Sequence, residues 1–232
     1  MDESKPKLGP FKRAVAEATK RAGDRKIEEE GYVLHQYPDY DTYKEVQVAG
    51  NKAKLRMQFV KESHVAILSD YLEKQVGQVK FGICHGTRRG AEQEWFRKHL
   101  SGNPEIIGTE ISDTADQFPH TIQWDFHEVN PDWSGRADFV YSNSWDHAYK
   151  PEVAFGAWIE SLRPGGLMLL DYTKGQTPEA ANALDPFGVT YERLNAMLVE
   201  SFSDKGSLLE PINTRKINKE YKANVVVFKK AN

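Results

Sequence analysis

From residue 78 onward, short apolar segments alternate with longer segments that have helical periodicity. The strand-like segments are VKFGIC (79–84), IIGTE (106–110), TIQW (121–124), ADFVYS (137–142), GLMLLDY (166–172) and ANVVVFK (223–229). Between them, residues 92–100, 153–162 and 190–202 have apolar side chains three or four positions apart. This alternation predicts an α/β fold, in which helices cover both faces of a mostly parallel sheet. Residues 173–189 contain two prolines and two glycines, and we expect a surface loop that can cover a site.

The first 77 residues follow a different pattern. Apolar residues near helical spacing predict one amphipathic helix early in the chain, with Phe11, Ala14, Val15, Ala18 and Ala22, and a second with Val65, Leu68 and Leu72 that ends near Gly77. Four tyrosines between residues 32 and 43, around Pro38, predict an ordered aromatic loop. We therefore expect an N-terminal helical cap over 1–77 and a Rossmann-like domain over 78–232.

Composition narrows the class of partner. The 232 residues carry a formal net charge of −3, which argues against a nucleic-acid partner because such domains normally have a basic surplus. The single cysteine, Cys84, excludes an intrachain disulfide framework and a cysteine-based zinc cluster. No apolar run approaches membrane-spanning length. We expect a cytoplasmic protein with no membrane partner, and whether it forms a homodimer stays open.

The first strand of the 78–232 region runs into a glycine-containing turn, residues 84–90 (CHGTRRG). Glycine lets a ligand approach the backbone N–H groups at the start of the following helix. Glu110 ends the next strand, where a carboxylate can accept hydrogen bonds from two ribose hydroxyls. The two glycines are four positions apart, unlike those of a dinucleotide turn, and Arg88 or Arg89 can pair with a carboxylate. A turn without a ligand explains the glycines alone, but turn and acid together predict an adenosine-containing ligand with an amino-acid end.

Five segments, taken in order, resemble the motifs of class I S-adenosylmethionine-dependent methyltransferases. They are FGICHGTRRG (81–90), IIGTEIS (106–112), TIQWDFHE (121–128), ADFVYSNSWDHA (137–148) and LRPGGLMLLD (162–171). The resemblance implies a seven-stranded Rossmann-like sheet whose last strand is antiparallel, with residues 207–213 (SLLEPIN) as its hairpin partner. It also implies S-adenosylmethionine as cofactor, S-adenosylhomocysteine as product, and a cap that forms the wall of the substrate site.

The resemblance also assigns cofactor contacts. Glu110 would bind the ribose, Asp125 the adenine amino group, and Ile111 and Phe126 would pack beside the adenine ring. The other cofactor contacts that we predict are Gly82, His85, Gly86, Thr87, Arg88, Gly90, Ser142, Asn143 and Ser144.

The first motif departs from the family in one respect. The acid that the family carries before the glycines is missing, and Gly82 or His85 stands near its place. The sequence therefore shows no residue that would bind the amino group of the cofactor. This gap keeps open a non-catalytic scaffold subunit with the same fold.

The turn after the fourth strand of the 78–232 region contains the residues that we expect to carry the chemistry. His147 can act as a general base on a hydroxyl acceptor, with Asp146 or a remote acid to orient it. A structural hydrogen bond of His147 is an equally open interpretation. Asp146 and Asp171 could bind Mg²⁺, but Tyr172 follows Asp171 where a second acid or amide would be needed. We therefore predict no metal site.

The cap supplies the predicted substrate contacts. Tyr43, Gln47 and Asn51 are spaced four residues apart and so share one helix face. A solvated helix stripe explains each of them singly, but with Trp145 they suit a small hydroxylated acceptor such as a sugar. The leading hypothesis is O-methyl transfer to a small polar molecule. Methyl transfer to nitrogen and, less favoured, an NAD(P)-dependent dehydrogenase are the alternatives to it.

Overall fold

The computed structural model of the chain describes residues 9–232. The helices are α1 (Pro10–Ala22), α2 (Tyr40–Lys54), α3 (Glu62–Val76), α4 (Ala91–His99), α5 (Pro151–Ser161) and α6 (Tyr191–Phe202). The strands are β1 (Lys26–Glu29), β2 (Tyr32–His35), β3 (Phe81–His85), β4 (Glu105–Glu110), β5 (Thr121–Gln123), β6 (Ala137–Ser142), β7 (Leu162–Tyr172), β8 (Phe187–Val189), β9 (Gly206–Leu208), β10 (Ile212–Asn213) and β11 (Asn224–Lys230). None of the helices within 9–232 is long and apolar enough to cross a membrane.

The main sheet has the strand order β10-β11-β7-β6-β3-β4-β5. The β3, β4, β5, β6 and β7 strands are parallel, and β11 is antiparallel to β7. β9 pairs with the end of β11 and β10 with its beginning, so these two short strands share the seventh position. The predicted parallel sheet with an antiparallel last strand is confirmed, as is the pairing of residues 207–213 with that strand.

Helices cover both faces of this sheet because successive side chains of its strands point in opposite directions. Ile83 packs toward α5 and α6, in a cluster that includes Trp158 and Phe202. The next residue, Cys84, packs toward α3 and α4, with Leu68 among its neighbours. Near-continuous apolar runs in β3, β6 and β7 are what a parallel sheet buried on both faces requires. The site described below lies at the carboxyl ends of these strands.

Gly82 has a packing role in the middle of β3. A Cβ atom at this position would lie 2.2 Å from Cε1 of Phe139, which is fully buried on the neighbouring strand. We therefore expect Gly82→Ala to lower the free energy of unfolding by about 1–3 kcal/mol, as overpacking does in a close-packed core. Urea denaturation measures the change. Gly156→Ala in α5 is the matched control, because its Cβ would meet nothing closer than 3.6 Å and should stabilise the helix. Equal stability of Gly82→Ala and wild type would contradict the packing role.

The N-terminal region is not purely helical. α1 packs on α2, with Ala18, Ala22 and Val46 in a small core that also includes Leu184. β1 and β2 form a hairpin, and β2 pairs with β8 in a three-stranded sheet. The expected aromatic loop is thus wrong over residues 32–35, which pair with β1 on one side and with β8 on the other. The expected surface loop over 173–189 likewise ends in a buried strand.

The helix α3 contacts the main sheet rather than the N-terminal region. Val65, Leu68 and Leu72 pack in the same cluster as Phe139 and Leu169 of the sheet. The predicted boundary at residue 77 stays a prediction, and residues 1–8 of the predicted cap lie outside the described residues. We propose from this packing that the sheet domain begins before α3 and that the cap comprises α1, β1, β2 and α2.

Candidate active site

A cavity with about 470 Å³ of empty space lies over the carboxyl ends of β3, β4 and β6 and is covered by α2. It is lined by Tyr43, Gln47, Asn51, Lys54, Gly86, Arg88, Glu110, Ile111, Asp125, Phe126, Ser144 and His147. All of these except Lys54 are residues that the sequence predicts for the site. The predicted acceptor contacts of the cap therefore share one cavity, which we call the nucleotide cavity, with the predicted cofactor contacts.

The turn between β3 and α4 brings the backbone to this cavity. Gly86 has φ +70°, and a Cβ there would lie 2.9 Å from Cβ of Ser144. The N–H groups of Gly86 and Thr87 both donate to the carbonyl of Thr109 on β4. The glycine is thus needed for a left-handed turn that lies directly against the β6 loop.

Glu110 lies at the end of β4 with its carboxylate at the cavity wall. Its two oxygens accept hydrogen bonds from the backbone N–H groups of Arg88 (3.1 Å) and Ser112 (3.2 Å). Burial raises the pKa of Glu110, and these hydrogen bonds act against that rise. Beside it, Asn51 accepts from the hydroxyl of Thr114 at 2.8 Å, while its buried Nδ2 has no partner among the described residues. A buried donor and a buried carboxylate at one wall fit a ligand that carries hydroxyl groups.

Asp125 is fixed in position by two side chains. Its Oδ2 accepts from the hydroxyl of Tyr40 at 2.7 Å, and its Oδ1 contacts Nδ1 of His127 at 2.7 Å. Burial acts to raise the pKa of Asp125, but the hydrogen bonds and charge of His127 outweigh it and hold the pKa below its ordinary value. Phe126, the next residue, lines the same wall of the cavity. The arrangement gives a flat apolar surface with an anchored carboxylate beside it.

Arg88, rather than Arg89, faces the site. Its Nη1 donates to the carbonyl of Met57 at 2.8 Å, and its guanidinium lies 5.1 Å from the ring centroid of Phe59. Arg88 lines the nucleotide cavity and a second cavity that adjoins it. Arg89 is exposed and lines neither.

His147 sits in a network of polar side chains from three segments. Its Nδ1 contacts Oε1 of Gln47 at 2.7 Å, and its Nε2 lies 3.2 Å from Oδ1 of Asp185. We assign the proton to Nδ1, because Nε2 of Gln47 donates to the carbonyl of Leu184 and this fixes Oε1 toward the ring. Burial lowers the pKa of His147 to about 4, with Asp185 acting in the opposite direction. The ring is therefore neutral at pH 7, and each of its two nitrogens faces an acceptor oxygen, that of Gln47 at Nδ1 and that of Asp185 at Nε2.

Asp185, not Asp146, is the acid that contacts the imidazole. Asp185 also pairs with Nζ of Lys54 at 3.3 Å, and a cation at that distance favours the ionised carboxylate. Asp146 is buried nearby, and burial raises the pKa of its carboxyl well above the ordinary value. Of the two orienting acids that the sequence left open, the structure places the remote one at the ring.

A second cavity, with about 1120 Å³ of empty space, adjoins the first. We call it the outer cavity. It is lined by Phe11, Lys54, Phe59, Arg88, Asn143, Ser144, Asp146, His147, Thr173, Gly175, Gln176, Asp185, Lys219, Glu220, Tyr221 and Lys222. Lys54, Arg88, Ser144 and His147 line both cavities, so these residues stand at the junction between them.

Several predicted site residues do not reach either large cavity. Trp145, the predicted substrate contact, is fully buried in the core, where its Nε1 donates to the carbonyl of Asp171 at 2.7 Å. His85 stacks on Trp158 with ring centroids 4.7 Å apart, and its Nδ1 contacts the hydroxyl of Thr109. Both side chains pack in the core against aromatic residues of α5, Trp158 and Phe155, which corrects their predicted contacts.

The remaining four have structural roles or lie deeper. Gly82 is packed under Phe139, and Gly90 starts α4 with φ +75°. The hydroxyl of Ser142 donates to the carbonyl of His85 at 3.1 Å and lines neither cavity. Thr87 lines a third, smaller cavity that adjoins the nucleotide cavity. Asn143 also lines this smaller cavity.

Sequence reasoning missed three charged groups of the site. Lys54 belongs to the same helix face as Asn51, three positions later, and this spacing could have indicated it. Asp185 lies in the segment predicted to cover a site, but no pattern in the neighbouring residues indicates a role for it. Glu92 is in the first turn of the helix that follows the glycines, and its burial has no sequence signal.

Comparison with known proteins identifies the fold. Neither protein-family models nor curated proteins give a match to this sequence. Among solved structures, the chain is similar to 1,6-didemethyltoxoflavin-N1-methyltransferase of Burkholderia thailandensis, with bound 1,6-didemethyltoxoflavin and S-adenosylhomocysteine. The TM-score is 0.63 at 12% identity, over 90% of this chain and 100% of that one.

Two further structures agree with this result. The amino pentose methyltransferase CalS10 of Micromonospora echinaspora, solved with S-adenosylmethionine, gives a TM-score of 0.56 at 12% identity, over 80% of this chain and 97% of that one. The N-methyltransferase NodS of Bradyrhizobium japonicum gives 0.55 at 11% identity, over 80% and 99%. The chain has the fold of the class I S-adenosylmethionine-dependent methyltransferases, and the resemblance seen in the sequence is confirmed at the level of fold.

Proposed function

We propose that this protein transfers a methyl group from S-adenosylmethionine to a hydroxyl of a small polar acceptor. The observation that carries the proposal is the position of His147. It stands at the junction of the nucleotide cavity and the outer cavity, with a neutral ring and an acid at Nε2. A base at such a junction can reach an acceptor in one cavity while a methyl donor lies in the other.

The nucleotide cavity fits S-adenosylmethionine by its chemistry. Glu110 and Nδ2 of Asn51 offer an acceptor and a donor to the ribose hydroxyls, and Asp125 offers an acceptor to the adenine amino group. Arg88 offers guanidinium donors to the carboxylate of the methionine part. When bound, the cofactor supplies an electrophilic methyl group on a sulfonium.

The protein's own contribution is to position the acceptor and take its proton. His147 can accept the proton at Nε2 when the hydroxyl of the acceptor replaces the 3.2 Å contact of that nitrogen with Asp185, because Nδ1 already donates to Gln47. Asp185, 3.2 Å from Nε2, stabilises the ring once it is charged. Lys54 holds Asp185 in place at 3.3 Å. The cap thus supports the base through Gln47 and Lys54, both of which belong to α2.

The lining of the outer cavity supports a small polar acceptor. Phe11, Phe59 and Tyr221 offer ring surfaces, and Gln176 and Lys222 offer polar groups beside them. Such a mixture suits a sugar-like molecule, and one similar structure is an amino pentose methyltransferase. A nitrogen acceptor is the second candidate, because two of the similar structures are N-methyltransferases.

Calorimetric titration with S-adenosylmethionine, S-adenosylhomocysteine and NADH tests the cofactor. We expect micromolar binding of the two sulfur nucleotides and none of NADH. A panel of hydroxylated and amino-bearing small molecules, assayed for release of S-adenosylhomocysteine, then separates oxygen from nitrogen acceptors. Binding of NADH alone would favour a dehydrogenase. Binding of the sulfur nucleotides without turnover on any acceptor of the panel would favour the scaffold.

A further inference from the structure

A third, smaller cavity lies behind the turn between β3 and α4. Its volume is about 10 Å³, room for one water-sized group, and it is lined by Gln58, Phe59, Gly86, Thr87, Arg88, Glu92, Asn143 and Ser144. Gly86, Arg88 and Ser144 also line the nucleotide cavity, so the two spaces meet at the glycine turn. A ligand whose sugar lies at Glu110 can place one small group, such as an ammonium, in this space.

Glu92 is the acid of this small cavity. It is the second residue of α4 and only 5% exposed. Its Oε1 accepts a hydrogen bond from Nε2 of Gln58 at 2.8 Å, while its buried Oε2 has no partner among the described residues. A buried carboxylate with one free oxygen is unfavourable unless a donor or a cation reaches it.

The protein itself does not supply that cation. Arg88 is the nearest positive group that acts on Glu92, yet within residues 9–232 the two side chains make no ion pair within 4 Å. Burial raises the pKa of Glu92 to about 7, against the opposing effects of Gln58 and Arg88. A cationic ligand in the small cavity would restore the charged carboxylate and use the free oxygen.

The sequence shows why such a group is needed here. The first strand carries Gly82 and not an acid, and the packing of Phe139 against Gly82 leaves no room for a side chain there. We propose that Glu92 binds the α-ammonium group of S-adenosylmethionine and so replaces, from the helix, the acid that is absent from the strand. Arg88, which lines both the small cavity and the nucleotide cavity, then pairs with the α-carboxylate. This inference rests on the proposed function.

The test uses three probes that differ only at the amino-acid end. They are S-adenosylhomocysteine, its analogue without the α-amino group, and 5′-methylthioadenosine, which lacks the amino-acid end altogether. Calorimetric titration compares the full chain with Glu92→Gln, which keeps the size of the side chain and the hydrogen bond to Gln58. Glu94→Gln is the matched control, because Glu94 is an exposed acid on the same helix.

We expect Glu92→Gln to weaken S-adenosylhomocysteine binding by about 10- to 100-fold, the effect of losing one charged hydrogen-bonded pair. Binding of 5′-methylthioadenosine and of the deaminated analogue should stay unchanged, and Glu94→Gln should behave as wild type. The expected loss is therefore confined to the probe that carries the ammonium group.

Two results would overturn the inference. One is equal binding of S-adenosylhomocysteine by Glu92→Gln and wild type, which would leave Glu92 as a structural partner of Gln58. The other is equal binding of S-adenosylhomocysteine and its deaminated analogue by the wild type, which needs no variant and holds even if Glu92→Gln does not fold. Failure of all three probes to bind the wild type would instead overturn the proposed function.

Discussion

Replacing Glu110 by alanine is expected to weaken binding of S-adenosylhomocysteine by about 100-fold or more, the cost of two lost hydrogen bonds to a charged acceptor. The carboxylate is buried at the end of β4 and already oriented by the N–H groups of Arg88 and Ser112. Because it is fixed before the ligand arrives, little ordering cost reduces its contribution. Calorimetric titration measures the loss directly.

The control for this variant is Glu105→Ala, at the exposed beginning of the same strand. It should leave nucleotide affinity unchanged. Thermal unfolding of both variants separates a binding defect from a folding defect, because Glu110→Ala also leaves two backbone donors without a side-chain partner. Wild-type affinity in a folded Glu110→Ala would show that the ribose is not held at this residue.

The second large effect is expected for His147→Ala. If His147 takes the proton from the acceptor, its loss should slow methyl transfer by about 10²- to 10⁴-fold while S-adenosylhomocysteine affinity is largely kept. The measurement is single-turnover transfer to an acceptor found in the panel. His120→Ala is the matched control, since His120 is exposed and lines neither cavity. Unchanged transfer by His147→Ala would favour the nitrogen acceptor or the scaffold.

The protonation of His147 gives a further check, by the pH dependence of transfer and by NMR of the ring. A base is active in its neutral form, so its contribution is complete above its pKa and is lost as pH falls through that value. With a pKa of about 4, His147 should cause no fall in rate between pH 8 and pH 6. Nitrogen-15 NMR of the ring should show the neutral Nδ1–H tautomer at pH 7. Titration of the ring near pH 6.5 would instead mean that the network around Gln47 and Asp185 opens in solution.

The fold could be predicted from the sequence where periodicity and burial agree. β3, β6, β7 and β11 are near-continuous apolar runs, and each lies within about two residues of its predicted segment except at the start of β7, which includes Arg163 and Pro164. β2 was missed because it is only four residues long and its pairing with β8 is distant in sequence. A local pattern does not carry the information about such a partner.

Some residues of the candidate site could likewise be predicted from the sequence, and others could not. Glu110 ends β4, and Asp125 and His147 lie two and five residues after β5 and β6, so their places at the sheet edge could be predicted from the strand order. Asp185 and Glu92 could not, because one lies in an irregular segment and the other becomes buried only when α4, the glycine turn and the loop that contains Gln58 come together. Trp145 was misplaced, since an aromatic residue beside a site and one in the core have the same local sequence.

The hydrogen-bonded pairing of β2 with β8 has a mechanical consequence. β8 ends the segment that contains Asp185, and β2 leads directly into α2, which provides Gln47 and Lys54. Leu34 of β2 and Phe187 of β8 are both buried in the core cluster of the main sheet. The groups around the ring of His147 are therefore anchored to the sheet as well as to the cap, and the position of the base depends on contacts between parts of the chain that are distant in sequence.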